Sequence, residues 1–182
     1  MLADARITAA HRGERFRFGS RLDGFLQALR LMWVSDAFLA QALYRVKARL
    51  QAWRVPVLPR VAHRAAVVLG QVSIGDPVVM RPGVYLLHGQ VVIDGFAEIR
   101  SGTVIAPFVT IGRRSPDLIA PIVGPRAHIG SGAKILGPIR VGADAKVGAG
   151  AVVLANVPAG RTAVGVPARL VATDAAVEAS LD

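Results

Sequence analysis

Aliphatic residues recur at every sixth position along most of the chain. An early set, Ile74, Met80 and Leu86, is followed by a longer lattice that is interrupted only at Asp117. The members of this lattice are Ile93, Ile99, Ile105, Ile111, Val123, Ile129, Ile135, Val141, Val147 and Val153. On an α-helix six residues turn through roughly 600°, which scatters them over several faces, and one glycine-broken strand of this length lies outside ordinary strand lengths. The pattern therefore predicts a parallel β-helix of hexapeptide repeats.

The early set and the lattice are out of step by one residue, because seven positions separate Leu86 from Ile93. A slip of this kind indicates a bulge, and bulges re-aim side chains and often lie beside active sites. His88 lies inside the slip. It is therefore a candidate functional residue.

The segment before the repeats has a helical pattern. Ser35 is a suitable N-cap, and the apolar positions after it are spaced four, three, four and three apart. These positions are Leu39, Leu43, Val46, Leu50 and Trp53. Phe25, Leu29 and Met32 indicate a shorter helix upstream. We expect both apolar stripes to pack against the core or against another subunit.

Four regions follow from these patterns. The first twenty residues are rich in Arg and Gly, have little periodicity and are predicted to be flexible. Pro56 and Pro59 are expected to end the helical pattern. The predicted division is a flexible arm at 1–20, a helical region at 21–60, a β-helix at 61–171 and a C-terminal tail at 172–182. The expected fold is thus mainly β, with a small helical region first.

Charge and composition limit the class of function. The chain has 22 Lys and Arg against 12 Asp and Glu, so its surface should attract anions such as a polyphosphate cofactor. It has no cysteine, which excludes disulfides and fits a cytoplasmic protein. Only the charge favours nucleic-acid binding, because no basic stripe is interleaved with aromatic residues. No apolar run reaches the length of a membrane span.

Longer segments carry a family signature. The chain reads "VSIGDPVVMRPGVYLLHGQVVIDG" over residues 72–95, then "VTIG", a loop, "PIVGPRAHIGSGAKILGPIRVGADAKVGAGAVV" and a closing "VPAGRTAVGVPARLV". Over roughly residues 36–171 it resembles the hexapeptide-repeat acyltransferases, and most of all their serine acetyltransferase branch. The resemblance implies a left-handed β-helix with three hexapeptides per turn. It also implies homotrimers, with acetyl-CoA between neighbouring subunits, and a dimer of trimers through the N-terminal helices is a further option.

The resemblance assigns roles to particular residues. "HG" before "VVIDG" aligns His88 with the general base of the family, and neutral imidazole can take the proton of a hydroxyl that attacks a thioester. A covalent cysteine intermediate is excluded because the chain has no cysteine. The implied contacts of acetyl-CoA are backbone groups around Gly112, Ser131, Gly132, Ala149 and Gly150 along the pantetheine, and Lys146 and Arg169 near the phosphates.

The chain departs from the serine acetyltransferase pattern where the acceptor should bind. Ser73 stands where the family has the carboxylate that orients the histidine. Ile119, Ala120 and Pro121 stand where the family has Arg-His-Pro, so a cation and an imidazole are both missing. Arg113 or Arg114 could replace the missing cation as substrate ligands.

The expected activity is CoA-dependent O-acetyl transfer to a small hydroxyl acceptor, with L-serine as the default. A sugar or polysaccharide precursor is the alternative acceptor, and a non-catalytic scaffold is the further alternative. Metal-dependent hydration, as in the γ-type carbonic anhydrases that share this coil, needs three converging histidines. The four histidines, His11, His63, His88 and His128, lack the close pair of that class. We therefore expect no metal site.

Overall fold

The computed structural model describes residues 1–14, 16–114 and 119–171. Four helices come first: α1 (Leu2–His11), α2 (Arg21–Val34), α3 (Asp36–Ala52) and α4 (Leu58–Gly70). The strands that follow are β1 (Val72–Ile74), β2 (Val79–Met80), β3 (Tyr85–Leu86), β4 (Val91–Ile93), β5 (Glu98–Ile99), β6 (Val104–Ile105), β7 (Thr110–Gly112), β8 (Ile122–Val123), β9 (His128–Ile129), β10 (Lys134–Leu136), β11 (Arg140–Val141), β12 (Lys146–Val147), β13 (Val152–Val153), β14 (Thr162–Val164) and β15 (Arg169–Leu170).

Successive strands belong to three sheets in rotation. Sheet A has the order β1-β4-β7-β10-β13, sheet B has β2-β5-β8-β11, and sheet C has β3-β6-β9-β12-β14-β15. The pairings within the described residues are parallel, apart from the antiparallel pair β14 and β15 that closes the coil. The chain is therefore a left-handed parallel β-helix of about five turns preceded by helices, which confirms the predicted fold class.

The predicted six-residue lattice points into the coil. None of its members is more than 3% exposed, and the same holds for Ile74, Met80 and Leu86. The position at Asp117 lies outside the described residues. The small residues four places further on, such as Ala127, are buried as well. Inward side chains from all three sheets thus form one continuous hydrophobic column.

The one-residue slip is visible in the strand register. Val72 pairs with Val91, whereas Val92 pairs with Thr110, so the turn of the coil that contains His88 is one residue longer than the next. The extra residue is accommodated between β3 and β4, where Gln90 adopts a left-handed conformation with φ 59°. The predicted bulge therefore exists, and it places His88 in a turn.

Helix α3 covers the open end of the coil with polar side chains. Gln41 donates to the carbonyl of Val84 at 2.9 Å, and the Tyr44 hydroxyl donates to that of Val78 at 2.8 Å. The buried Lys47 ammonium donates to the carbonyl of Ile74 at 2.6 Å and to Asp76 at 3.0 Å. This hydrogen bond from Lys47 lowers the pKa of Asp76. Because the first strands lack a preceding turn, these donors satisfy backbone carbonyls that would otherwise be unpaired.

The N-terminal residues differ from the predicted flexible arm, because residues 2–11 form α1. Its buried face consists of Asp4, Ala5, Thr8 and Ala9, so it has no apolar stripe that a sequence pattern could reveal. Asp4 accepts hydrogen bonds from Arg45 and from the backbone N–H of Gly83. Helix α1 is therefore attached to both α3 and the first turn of the coil.

The helical region also extends beyond its predicted end at residue 60. Pro59 lies in the first turn of α4, where proline is tolerated because the N–H of that position needs no partner inside the helix. Helix α4 continues to Gly70 and the coil begins at Val72. The predicted tail at 172–182 lies outside the described residues.

Asp4→Asn is expected to lower the free energy of unfolding by about 1–3 kcal/mol, because a partly buried Arg45 fork would lose its charged acceptor. Chemical denaturation measures this change. The matched control is Asp144→Asn, which removes an ion pair with Arg126 that lies on the surface and should contribute little. Equal stability of the two variants would contradict the anchoring role of Asp4.

Candidate active site

Turns between sheet C and the next strand of sheet A stack into one edge of the coil, which we call the His88 edge. It consists of residues 87–90, 106–109, 130–133 and 148–151. Backbone hydrogen bonds join successive turns, since the N–H of Gly132 donates to Pro107 at 2.9 Å and that of Gly150 donates to Ser131 at 2.8 Å. Four of the residues predicted to contact acetyl-CoA lie on later turns of this edge than His88. They are Ser131, Gly132, Ala149 and Gly150.

A groove leads away from the His88 edge over the outer face of sheet C. It has a volume of about 420 Å³ and is lined by Leu87, Val104, His128, Lys146 and Thr162, among others. Three of these residues, His128, Lys146 and Thr162, are register partners on β9, β12 and β14. Leu87 is the sequence neighbour of His88. The groove therefore extends from Lys146 to the residue that precedes the candidate base.

Arg169 lies on the same sheet as Lys146. It is exposed on β15, where it pairs with Val164. The two cations predicted to lie near the CoA phosphates thus share sheet C. A polyanion lying along this face would meet positive charge at both positions.

The remaining predicted residues lie elsewhere in the coil. Gly112 is buried at the far end of β7, and Arg113 and Arg114 follow it at the edge between sheets A and B. Ser73 is a half-buried residue in the middle of β1. The strands of sheet A separate Arg113 and Arg114 from the His88 edge. Within one chain the structure therefore does not bring them together with His88.

His88 lines a cleft of about 270 Å³, here called the His88 cleft. Its lining includes Asp36, Val68, Leu69, Gln71 and Gln90. His88 is exposed, and the described part of the chain provides no hydrogen-bond partner for its ring. An exposed imidazole beside a cleft has the access that a general base requires.

Two glycines bring the cleft walls together. A Cβ on Gly89 would overlap the carbonyl oxygen of Gly70, and a Cβ on Gly70 would lie 2.6 Å from the carbonyl oxygen of Asp36. The carbonyl of Gln71 also accepts the N–H of Gln90 at 2.7 Å. The start of α3, the end of α4 and the His88 turn therefore meet in backbone contact. Gly89 of the "HG" motif is required by this packing.

Sequence reasoning did not identify Asp36, Gln71 or Gln90 as neighbours of His88. Asp36 follows the N-cap Ser35, and a first-turn carboxylate is usual in helices without any further role. Gln71 and Gln90 both have positive φ, at 52° and 59°, which places them in turns that no repeat pattern marks. The positions where the family has Arg and His are occupied by exposed Ile119 and buried Ala120.

A metal-binding cluster and a membrane-spanning helix are both absent from residues 1–14, 16–114 and 119–171. No group of three or more His, Cys, Asp or Glu side chains in these ranges is arranged to hold a metal ion. In the same residues, no helix combines the length and the hydropathy needed to cross a bilayer.

Comparison with known proteins agrees with the fold. The family model "Bacterial transferase hexapeptide (six repeats)" matches residues 120–155. Serine acetyltransferases of Synechococcus elongatus and of a Synechocystis strain are 33% and 37% identical to the chain, each over 79% of its length. The chain spans only 60% and 59% of these two relatives.

Solved structures give the same result. Soybean serine acetyltransferase complexed with serine matches with a TM-score of 0.77 and 32% identity, over 93% of this chain and 67% of that one. The serine acetyltransferase of Vibrio cholerae matches with a TM-score of 0.71 and 34% identity, over 75% of this chain and 54% of that one. The fold and the family model thus agree on a hexapeptide-repeat protein. The chain belongs to the hexapeptide-repeat acyltransferase family, and these relatives place its similarity with the serine acetyltransferases.

Proposed function

We propose that the protein is an O-acetyltransferase that moves the acetyl group of acetyl-CoA to the hydroxyl of a small acceptor, with L-serine as the default acceptor. The observation that carries the proposal is the position of His88. It is exposed in the slip of the coil, on the edge that also bears Ser131 and Gly150, and it adjoins the groove that reaches Lys146. The similarity to serine acetyltransferases supports the same reaction.

In the proposed reaction the neutral imidazole of His88 accepts the proton of the acceptor hydroxyl. The hydroxyl oxygen then attacks the thioester carbonyl carbon, an O–C bond forms and the C–S bond breaks. The imidazolium of His88 returns its proton to the departing CoA sulfur. Lys146 and Arg169 would bind the CoA phosphates through charge-assisted contacts. Direct transfer needs no acyl-enzyme, which fits a chain without cysteine.

We further propose that the active unit is a homotrimer. Arg113 and Arg114 lie across sheet A from the His88 edge, so they can join a site with His88 only if that His88 belongs to a neighbouring subunit. The α3 stripe is also incompletely covered, since Val46 is 44% and Trp53 is 66% exposed. Helix α2 exposes further apolar side chains, which would allow two trimers to pair: Leu22, Phe25, Leu26 and Trp33.

Sedimentation velocity is expected to show trimers, or hexamers made of two trimers, at micromolar concentration. The reason is that the proposed site is incomplete in one chain and the exposed apolar faces need partners. A series of concentrations separates a weak assembly from a stable one. A protein that remains monomeric over the whole micromolar range would contradict the proposed active unit.

The acceptor can be identified by measuring free CoA thiol after incubation with acetyl-CoA and single candidate acceptors. We expect release of CoA with L-serine. Homoserine and nucleotide sugars are the other acceptors to be tested. A sugar is the second candidate because Ala120 is buried where the family has histidine, and because the amides of Gln71 and Gln90 beside His88 are suited to neutral hydroxyls. No release of CoA with any acceptor, together with no thermal stabilisation by acetyl-CoA, would favour a non-catalytic scaffold.

A cytoplasmic location of the protein stays a prediction.

A further inference from the structure

A pocket of about 690 Å³ lies under the turn between α3 and α4, and we call it the α4 pocket. Two arginines of α4, Arg60 and Arg64, line it and are four residues apart, which places them on one face of the helix. Both side chains are exposed, and among the described residues neither has a hydrogen-bond, ion-pair or ring partner. The pocket therefore contains two cations without a direct partner.

The acidic residue of the α4 pocket is already paired. Asp76 accepts a hydrogen bond from the buried Lys47 ammonium at 3.0 Å. This bond is the main cause of the lowered pKa of Asp76, and the nearby His63 contributes to it as well. Because Lys47 balances Asp76, the positive charges of Arg60 and Arg64 remain uncompensated. The α4 pocket is thus expected to attract anions.

The place of the two arginines in their helix is unfavourable as long as no anion is bound. Arg60 and Arg64 lie in the first two turns of α4, where the helix dipole is positive, and the first turn has no acidic residue. Two like charges four residues apart on a helix also repel each other. An anion between the two guanidinium groups would offset both effects.

Side chains, and not the backbone of the helix terminus, are available to bind such an anion. The N–H of Leu58 donates to the carbonyl of Pro56 at 2.7 Å. The N–H of Arg60 donates to the carbonyl of Val57 at 2.9 Å, and Pro59 between them has no N–H. The first three positions of α4 therefore have no free N–H, so an anion in the pocket has to be held by the guanidinium groups.

The wall next to the arginines is apolar and is shaped by a strained turn. Its members are Val55, Pro56, Val57 and Pro59. Val57 has φ 66° and ψ −54°, at the centre of the three-residue turn that the Leu58 N–H closes. A β-branched residue rarely adopts a positive φ, and strained backbone of this kind is concentrated at functional sites. A cavity of this size with one apolar wall and a few charged groups is typical of sites for small organic ligands.

The α4 pocket is separate from the His88 cleft of the same chain. Gln51 lines the pocket and Asp36 lines the cleft. These two residues are at opposite ends of α3, roughly 22 Å apart at the rise of an α-helix. The pocket is therefore an additional site, and its ligand is not the acceptor beside His88.

We propose that the α4 pocket binds a small organic phosphate, with the phosphate group between Arg60 and Arg64 and the apolar part of the ligand against Val55 and Pro56. Two guanidinium forks match the two charges and the several oxygen atoms of a phosphate monoester. A single carboxylate has one charge and would balance only one of the arginines. The inference does not depend on the proposed acetyl transfer, because no residue of the His88 cleft takes part in it.

Calorimetric titration of the full chain with phenyl phosphate tests the inference. Arg60→Gln and Arg64→Gln are each expected to raise the Kd by about 10- to 100-fold, the usual range for a lost hydrogen bond to a charged group. Benzoate has the same ring with a single charge, and inorganic phosphate lacks the ring. Each should bind about tenfold more weakly than phenyl phosphate, because each lacks one of the two kinds of contact.

Arg140→Gln is the matched control, because it removes an exposed arginine from the outer face of sheet B. Lys146→Ala is a second control for binding in the groove of sheet C, and the Kd for phenyl phosphate should stay within threefold in both variants. A Kd that rises in Lys146→Ala and not in the two α4 variants would overturn the inference. The absence of binding to the wild-type protein at about 10 mM phenyl phosphate would overturn it as well.

Discussion

His88→Ala is expected to lower the acetyl-transfer rate by roughly two to four powers of ten and to leave acetyl-CoA binding unchanged. The loss is the usual contribution of a general base. Binding should persist because the proposed cofactor contacts lie on other turns of the His88 edge and in the groove of sheet C. The rate is measured with the acceptor found in the CoA-release assay, and the affinity for acetyl-CoA is measured on the same sample.

The control for this variant is His63→Ala. His63 is a histidine of α4 in a separate pocket under the α3–α4 turn, so its loss should change the rate by less than threefold. Among the residues that line the His88 cleft, Asp36 is the only other ionisable side chain, so its carboxylate is the one alternative base there. A His88→Ala variant with transfer within threefold of wild type would show that the imidazole is structural. The enzyme proposal would then rest on similarity alone.

The coil could be predicted because the same structural unit repeats every six residues. Each inward position has the same environment, so residues such as Ile105 and Ile135 meet the same requirement and produce a visible period. The slip at His88 is detectable for the same reason, since one extra residue shifts every later member of the lattice. The sequence could therefore predict that His88 lies in an irregular turn of the coil, but not the cleft beside it.

The helices were harder to predict because polar chemistry determines how they pack. Helix α3 buries Gln41, Tyr44 and Lys47 against backbone carbonyls of the first coil turn, and these side chains do not form an apolar stripe. The predicted stripe, with Val46 and Trp53, lies partly exposed on another face. Helix α1 is invisible to the same reasoning because it buries alanines, Thr8 and Asp4.

The acceptor side of the site was predicted least well, because it depends on contacts between distant parts of the chain. Asp36 approaches His88 only through the packing of Gly70 and Gly89, and no spacing rule links residue 36 to residue 88. Arg113 and Arg114 are predicted substrate ligands that lie across sheet A from the His88 of their own chain, so that prediction depends on a site shared between subunits. Sequence reasoning could align residues with a family pattern, but it could not show which edge of the coil each residue occupies.

Val141→Asp is expected to remove most of the stability of the coil, whereas Arg140→Asp should leave it nearly unchanged. Val141 is 1% exposed and is stacked between Val123 and Val157 of the adjacent turns. An unpaired carboxylate in that column costs several kcal/mol or must bind a proton, and the whole free energy of unfolding of a domain is about 5–15 kcal/mol. Arg140→Asp introduces the same carboxylate one residue earlier on β11, on the exposed face.

Chemical denaturation and the yield of soluble protein report the difference between the two aspartate variants. Because Val141→Asp is expected to fold poorly, Val141→Thr is the measurable companion. It keeps the shape of the side chain and buries one hydroxyl, for which a loss of about 1–3 kcal/mol is expected. Similar losses for the substitutions at residues 140 and 141 would mean that β11 does not alternate between the inside and the outside of the coil. The six-residue phase would then be misplaced, and with it the assignment of the His88 edge, because both rest on the same alternation.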